Sequence, residues 1–211
     1  MLNLSNNEIR RLLAPYSVAA SDHLCEQIRA YSNLLLRWNQ KIALTTVTDP
    51  SEIIRFHFGE SLFALSVVSS LAGALADIGS GAGFPGLALK LASPETHVTL
   101  IEPNVKKSTF LSEAVRSLGL ETTFVFRGRM EDLPSDRGPF EFMSVRALGS
   151  HFKILDLASR RLNGGGKVLL WLNAEDARSI SERPGWNWHR PALIPGTKGR
   201  YILVGEALRS D

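Results

Sequence analysis

The sequence predicts a doubly wound α/β fold: a mostly parallel sheet that ends in an antiparallel hairpin and carries a helical cap built from the N-terminal part of the chain. Three observations predict it. From Gly73 onward, short apolar runs alternate with amphipathic segments. A glycine-rich stretch, ADIGSGAGFPG at 76–86, joins the first of those runs to the first helical pattern. Residues 5–71, by contrast, carry helical patterning.

Taken in order, Ser5 and Glu8 have capping-box spacing and open the first helix. Ser21 or Asp22 starts a second that runs to Trp38, in which Leu24, Ile28, Tyr31, Leu35 and Trp38 recur at spacings of four and three and form one apolar stripe. Asp49, Pro50 and Glu52 begin a third. Strands are predicted at Ala74–Ile78, His97–Ile101, Thr122–Phe126, Phe140–Val145, Lys167–Leu172, Trp186–Ile194 and Arg200–Gly205. Helices fit between them at Gly86–Ala92, Val105–Leu118, His151–Leu162 and Ala174–Glu182. The alternation of strands with helices implies the parallel sheet. Only PGTKG separates the last two strands, too short for a crossover, so that pair is expected to be antiparallel. The expected organisation is a cap over 1–72 and a sheet domain over 73–211 that together form one structural unit.

Composition sets bounds on function. With 211 residues, 44% hydrophobic and 21% charged, the chain is sized for one α/β domain plus an appendage. A net charge of +3 permits a polyanionic partner without requiring one. The single cysteine, Cys25, allows no internal disulfide and no multi-cysteine zinc site, which predicts a reducing, cytoplasmic setting without metal. No apolar run approaches the roughly 18 to 20 residues that span a bilayer, so no membrane partner is expected. A monomer is expected.

The glycine turn sits where ligands bind in open α/β sheets, and Gly79, Gly81 and Gly83 let backbone come close to one. Three ligands compete. A Walker loop would need Gly-Lys and then Ser or Thr, where Phe84-Pro85 stands. A dinucleotide fingerprint can be laid on Gly81, Gly83 and Gly86, but no second substrate domain follows. S-adenosylmethionine fits better, with Asp77, Gly79, Gly81 and Gly83 at the required spacing and Glu102 at the end of the next strand to take both ribose hydroxyls. The plain alternative is an unliganded turn with a solvated Glu102. GRMEDL, after the third strand, offers Met130 and Glu131 to the adenine.

Methyl transfer from a sulfonium mainly needs nucleophile and carbon held in line. Amine methylation is disfavoured because SVRALGS at 144–150 replaces the Asn/Asp-Pro-Pro-aromatic signature. Pyrimidine carbon methylation is disfavoured because Cys25 lies in the cap. A purine ring nitrogen needs no base. Carboxylates lining the pocket would favour the cationic purine left after transfer. Arg146 is a candidate partner for a phosphate or for the cofactor's carboxylate. Candidate cations for RNA are Lys41, Arg55, Lys106, Lys107, Arg127, Arg129, Lys198 and Arg200.

On the stretches LLLRWNQKIALTTVTD, HFGESL, DIGSGAGFPG, LIEPNVKKSTFL, GRMEDL, SVRALGS and NGGGKVLLW, the chain resembles the bacterial small-subunit ribosomal RNA methyltransferase G family, also called glucose-inhibited division protein B. The resemblance implies a Rossmann-like class I methyltransferase sheet that binds S-adenosylmethionine and methylates nitrogen-7 of a guanine in 16S rRNA of the small ribosomal subunit. It implies cofactor contacts at Gly79, Phe84, Glu102, Met130, Glu131 and Arg146, with Gly81 and Gly83 shaping the turn. It also implies an RNA-facing set of Asn39, Lys41, His57, Glu60 and Ser61. Arg200 is a further candidate for RNA, and Arg146, His57 and Lys41 are positioning candidates. Ala43, Glu60 and Asn173-Ala174 depart from the family pattern, the last removing a lysine expected to contact phosphate or base. Two other readings remain: a small-molecule methyltransferase closed by the cap, and a nonenzymatic binder of RNA or cofactor.

Overall fold

The computed structural model describes residues 3–146, 149 and 151–208. Helix α1 (Asn6–Leu13) begins at the predicted capping box, with the Ser5 side chain accepting from the Glu8 N–H and the Glu8 carboxylate accepting from the Ser5 N–H. Helix α2 (Asp22–Asn39) is capped by Ser21. The third predicted helix starts at α3 (Pro50–Glu52), with Asp49 as its cap. It continues through a π segment, Ile53–Gly59, into α4 (Glu60–Leu62) and α5 (Ala64–Val67).

The sheet follows in the predicted order: β1 (Ala74–Ile78), α6 (Gly86–Ala92), β2 (His97–Ile101), α7 (Val105–Ser117), β3 (Thr123–Phe126), β4 (Phe140–Arg146), α8 (His151–Arg161), β5 (Leu162–Asn173), α9 (Ala174–Ser181), β6 (Trp186–Trp188), β7 (Ala192–Leu193) and β8 (Arg200–Ala207). Spatially the strands run β3-β2-β1-β4-β5-β8-β6, with β7 on β8. The first five are parallel, and β8 runs antiparallel to β5, β6 and β7. Strand order reverses between β1 and β4, so the crevice for a ligand lies at their C-terminal ends.

Two predicted strands need correction. The run Trp186–Ile194 is broken into β6 and β7, because Pro191 brings no N–H to the ladder with β8. Strand β5 begins at Leu162 rather than Lys167, and its pairing with β4 shifts register between Phe140 and Phe142.

Alternation along the strands feeds two cores. Leu75, Leu169, Trp171, Ile202 and Val204 face one side, where they join α6, α7 and the buried faces of α1, α2 and the π segment in a single apolar cluster. Ala76, Ile78, Val168, Leu170 and Leu203 face the other side, under α8 and α9. The cap therefore has no separate core. Its stripe of Leu24, Ile28, Tyr31 and Leu35 is buried against the sheet layer. Among the described residues, no helix is long and apolar enough to cross a membrane.

Candidate active site

The chain leaves β1 at Ile78 and turns through Gly79, Gly81 and Gly83, all with φ between 55° and 83°. The turn is pinned to β2, since Gly79 and Ser80 donate to the Ile101 carbonyl at 2.9 and 3.1 Å and the Ser80 hydroxyl accepts from the Ile101 N–H at 3.1 Å. Its glycines have different tasks. A Cβ on Gly81 would meet nothing nearer than the Gly79 oxygen at 3.8 Å, so this position opens onto space. A Cβ on Gly83 would strike the Tyr31 hydroxyl and Leu87, and one on Gly86 would come within 2.6 Å of Asp77 Oδ2 and 2.7 Å of Leu100.

Glu102, just past β2, is 6% exposed. One carboxylate oxygen accepts from the Gly81 N–H and the other from the Asn104 N–H, both at 2.8 Å. Asp77 is fully buried under the first turn of α6. Its strand partner Ser144 donates to Oδ1 at 2.6 Å. Oδ2 lacks a well-formed hydrogen bond. Burial pushes the Asp77 carboxyl up to about 6, against the pull of the Ser144 and Ser80 hydroxyls and the Gly86 N–H. Asp77 thus braces the turn from beneath, and Glu102 forms its wall.

The cap supplies the opposite side. The Asn39 side chain accepts from the Leu44 and Thr45 N–H groups at 2.9 and 3.0 Å and donates to the Thr45 carbonyl at 2.8 Å. It closes its own loop rather than reaching outward. Thr45 Oγ1 lies 2.8 Å from His57 Nε2, and the His57 ring stacks on Phe84 at 4.7 Å. Burial, with help from the Arg146 charge, lowers the His57 pKa to about 4, so the ring is neutral at physiological pH.

Arg146 ends β4 and is drawn into the cap. It donates to the Phe56 carbonyl at 2.7 Å, the Ser61 hydroxyl at 3.1 Å and Glu60 Oε2 at 2.9 Å. Arg200 approaches Glu60 Oε1 to 2.6 Å without hydrogen-bond alignment. Glu60 is 1% exposed, and burial pushes its carboxyl up against the pull of both arginines. Trp171 fixes the same turn by donating to the Glu60 carbonyl at 2.8 Å.

Several predicted site residues are therefore engaged within the protein. Glu60 and Ser61 are sealed, the Arg146 guanidinium is spent on the cap, and the Phe84 ring is buried against His57 and Tyr31. Met130 is buried at the start of a 3-10 turn after β3, whereas Glu131 is exposed and paired with Lys153 at 2.7 Å. Asn173 caps α9 by accepting from the Asp176 N–H. Of the motif SVRALGS, Ala147, Leu148 and Ser150 lie outside the described residues.

Five of the candidate cations lie at the C-terminal ends of parallel strands. Lys106 and Lys107 open α7 after β2, Arg127 and Arg129 follow β3, and Arg200 pairs with Asn173 at the end of β5. Lys198 lies in the turn before β8, Arg55 is exposed on the π segment, and Lys41 is exposed just past α2. Residues whose roles composition did not suggest are Tyr31, Thr45, Ser144 and Trp171. Only the Tyr31 position in the apolar stripe carried any signal.

A family model described as rRNA small subunit methyltransferase G matches residues 24–184. The chain belongs to this family. It is 36% identical over 184 residues to the ribosomal RNA small subunit methyltransferase G of Stenotrophomonas maltophilia strain K279a, covering 86% of this chain and 85% of that one. It is 35% identical to the protein of the same name from Lactococcus lactis subsp. lactis, over 81% of this chain and 74% of that one. Solved structures repeat the fold at low identity. The precorrin-6y C5,15-methyltransferase of Geobacter metallireducens matches with a TM-score of 0.58 at 15% identity, over 79% of this chain and 94% of that one. A glycopeptide N-methyltransferase complexed with S-adenosylhomocysteine matches at 0.59 and 12%, over 72% and 90%. As a member of the methyltransferase G family, the chain is an enzyme of the methyltransferase class, and its fold is the Rossmann-like sheet predicted above.

Proposed function

We propose that this chain transfers a methyl group from S-adenosylmethionine to nitrogen-7 of a guanine in 16S rRNA. What carries the reading is Glu102, a nearly sealed carboxylate whose two oxygens are fixed by backbone amides beside a glycine that opens onto space. The choice of rRNA as substrate rests on family membership.

The residues fit the cofactor. Each Glu102 oxygen keeps a lone pair beyond the one already used, which suits two ribose hydroxyls. Gly79 and Gly81 admit backbone approach, Asp77 braces the turn, and the base is assigned to the turn after β3 that carries Met130 and Glu131. When bound, the cofactor supplies an electrophilic methyl group on a sulfonium. The rest of the task is positioning.

Guanine nitrogen-7 brings its own lone pair, so no side chain has to remove a proton. His57, neutral and backed by Phe84, suits stacking or hydrogen bonding to the base at the cap side. Arg146 acts indirectly, by holding the π segment that carries His57. Lys41, Arg55, Lys106, Lys107, Arg127, Arg129, Lys198 and Arg200 are the cations for RNA phosphates. Such a substrate implies work on the small ribosomal subunit in the cytoplasm.

Incubating the protein with labelled S-adenosylmethionine and either 30S particles or deproteinised rRNA, followed by mapping of the modified base, tests this. The expected result is label on a guanine nitrogen-7 of 16S rRNA. Label in an exocyclic amine or in a small molecule would overturn it.

A further inference from the structure

Tyr31 lies in the cap, yet its hydroxyl reaches the glycine turn. The residue is fully buried on α2. Its ring stacks on Phe84 with centroids 5.3 Å apart and on Phe110 at 6.2 Å, and it meets Phe58 edge-on at 5.6 Å. The hydroxyl donates to the carbonyl oxygen of Ala82, the residue between Gly81 and Gly83. Gly83 makes room for it, since a Cβ there would occupy the place of the Tyr31 oxygen.

The bond has a direct consequence for the turn. The Ala82–Gly83 peptide is trans, so its carbonyl and its N–H point in opposite directions across one rigid plane. Tyr31 holds the carbonyl side, and on the other side the Gly83 N–H donates to the Ser80 carbonyl at 2.6 Å. Both ends of the plane are therefore gripped. The Gly81 N–H, which donates to Glu102 Oε2 at 2.8 Å, belongs to the Ser80–Gly81 peptide, two planes back along the chain. Only the dihedrals of Ala82 and Gly81 lie between the Ala82–Gly83 plane and the amide that orients the Glu102 carboxylate, so a rotation of the plane has little chain in which to be absorbed.

The packing argues for more than filling. A phenylalanine would keep the three ring contacts, so the hydroxyl is needed only for the Ala82 carbonyl. A purely structural bond would serve as well anywhere in the cap, but this one ends on the residue that follows the open glycine.

We propose that Tyr31 is a positioning residue for cofactor binding: its hydroxyl sets the Ala82–Gly83 peptide and, through Gly81, the Glu102 carboxylate. The inference rests on the cofactor reading above.

The test is calorimetric titration of S-adenosylhomocysteine into the full chain, well below its melting temperature, for wild type, Tyr31→Phe and Leu13→Ala. Leu13 is fully buried in α1, which packs on α2 and the π segment, so its truncation destabilises the cap without touching the turn. Tyr31→Phe is expected to weaken binding about tenfold, as for loss of one buried hydrogen bond, and Leu13→Ala to leave affinity unchanged while lowering the melting temperature. In steady state, Tyr31→Phe should raise the KM for S-adenosylmethionine by a similar factor, with kcat kept within about twofold. Equal affinity of wild type and Tyr31→Phe would overturn the inference alone, as would equal weakening in Tyr31→Phe and Leu13→Ala. A wild-type protein that does not bind the ligand would overturn the cofactor reading along with it.

Discussion

Asp77 and Glu102 stand at the C-terminal ends of adjacent strands, flank the same turn, and have opposite situations. Asp77 lies beneath α6 with one oxygen lacking a well-formed partner, and burial pushes its carboxyl up to about 6. Glu102 has both oxygens held by backbone amides at the edge of open space. Burial alone does not separate them, since both are nearly sealed. What differs is the glycine each one faces. Gly86 lies against Asp77 and closes it off, whereas Gly81 binds Glu102 and leaves its own Cβ side vacant. A carboxylate beside a glycine turn can be a closed-off brace or stand open to a ligand, as proposed for Glu102, and the neighbouring glycine decides which.

The sharpest break of that comparison is Glu102→Gln. The amide keeps one acceptor but loses the charge and the second acceptor, so S-adenosylhomocysteine affinity should fall about 100-fold, from charge-assisted bonds worth roughly 1.5–3 kcal/mol. Calorimetric titration checks this, and a loss below about threefold would remove Glu102 from the grip.

Next comes a pH test that pairs Asp77 with His57. The Asp77 carboxyl is raised from 3.8 to about 6, so its contribution makes the fold less stable as pH rises through that window, by about 3 kcal/mol in all. His57 is lowered from 6.5 to about 4, so its contribution is lost as pH falls through that window, by a similar amount. The two slopes oppose each other between pH 4 and 6. Asp77→Asn, in which the Ser144 hydroxyl can reverse its bond, should steepen the rise of stability with pH relative to wild type. His57→Gln should make stability fall across the same range. Denaturant titrations at several pH values read both, and identical slopes in the three proteins would contradict the assignment.

The smallest effect separates the glycines. Gly86→Ala overpacks against Asp77 and Leu100 and should cost about 1–3 kcal/mol of stability without altering affinity in the folded fraction. Gly81→Ala, at φ 55°, should cost about 1–2 kcal/mol and also lose ligand binding. Thermal melts with and without S-adenosylhomocysteine distinguish the two, and a normal ligand shift in Gly81→Ala would place the ligand elsewhere.

Much of this was legible in the chain because its signals are local. The capping box at Ser5 and Glu8, the Asp49-Pro50 helix start, the glycine turn and the position of Glu102 each depend on residues close in sequence. What was not legible has a different cause. Asn39, Glu60, Ser61 and Arg146 read as ligand or RNA contacts because they are polar and sit in family motifs, while the partners they have within the protein come from distant elements or from their own loop. Arg146 meets Phe56, Glu60 and Ser61 only because β4 runs up against the π segment. Tyr31 shows the converse, a member of an apolar stripe whose one polar atom finds the turn. Trp171 likewise reads as a buried strand residue until its indole N–H meets the Glu60 carbonyl.

The π segment Ile53–Gly59 has its own consequence. Its wider winding sets the phase in which His57 meets Thr45 and Phe84 while Glu60 meets Arg146. The segment carries one residue more than an α-helix would over the same rotation, so a single deletion there would restore ordinary winding and leave Glu60 in phase, whereas a deletion in the α-helical turns that follow would rotate everything beyond it by about 100°. The extra residue is thus local in its effect: losing it would change how the segment presents His57 to Thr45 and Phe84 while sparing the contacts beyond it.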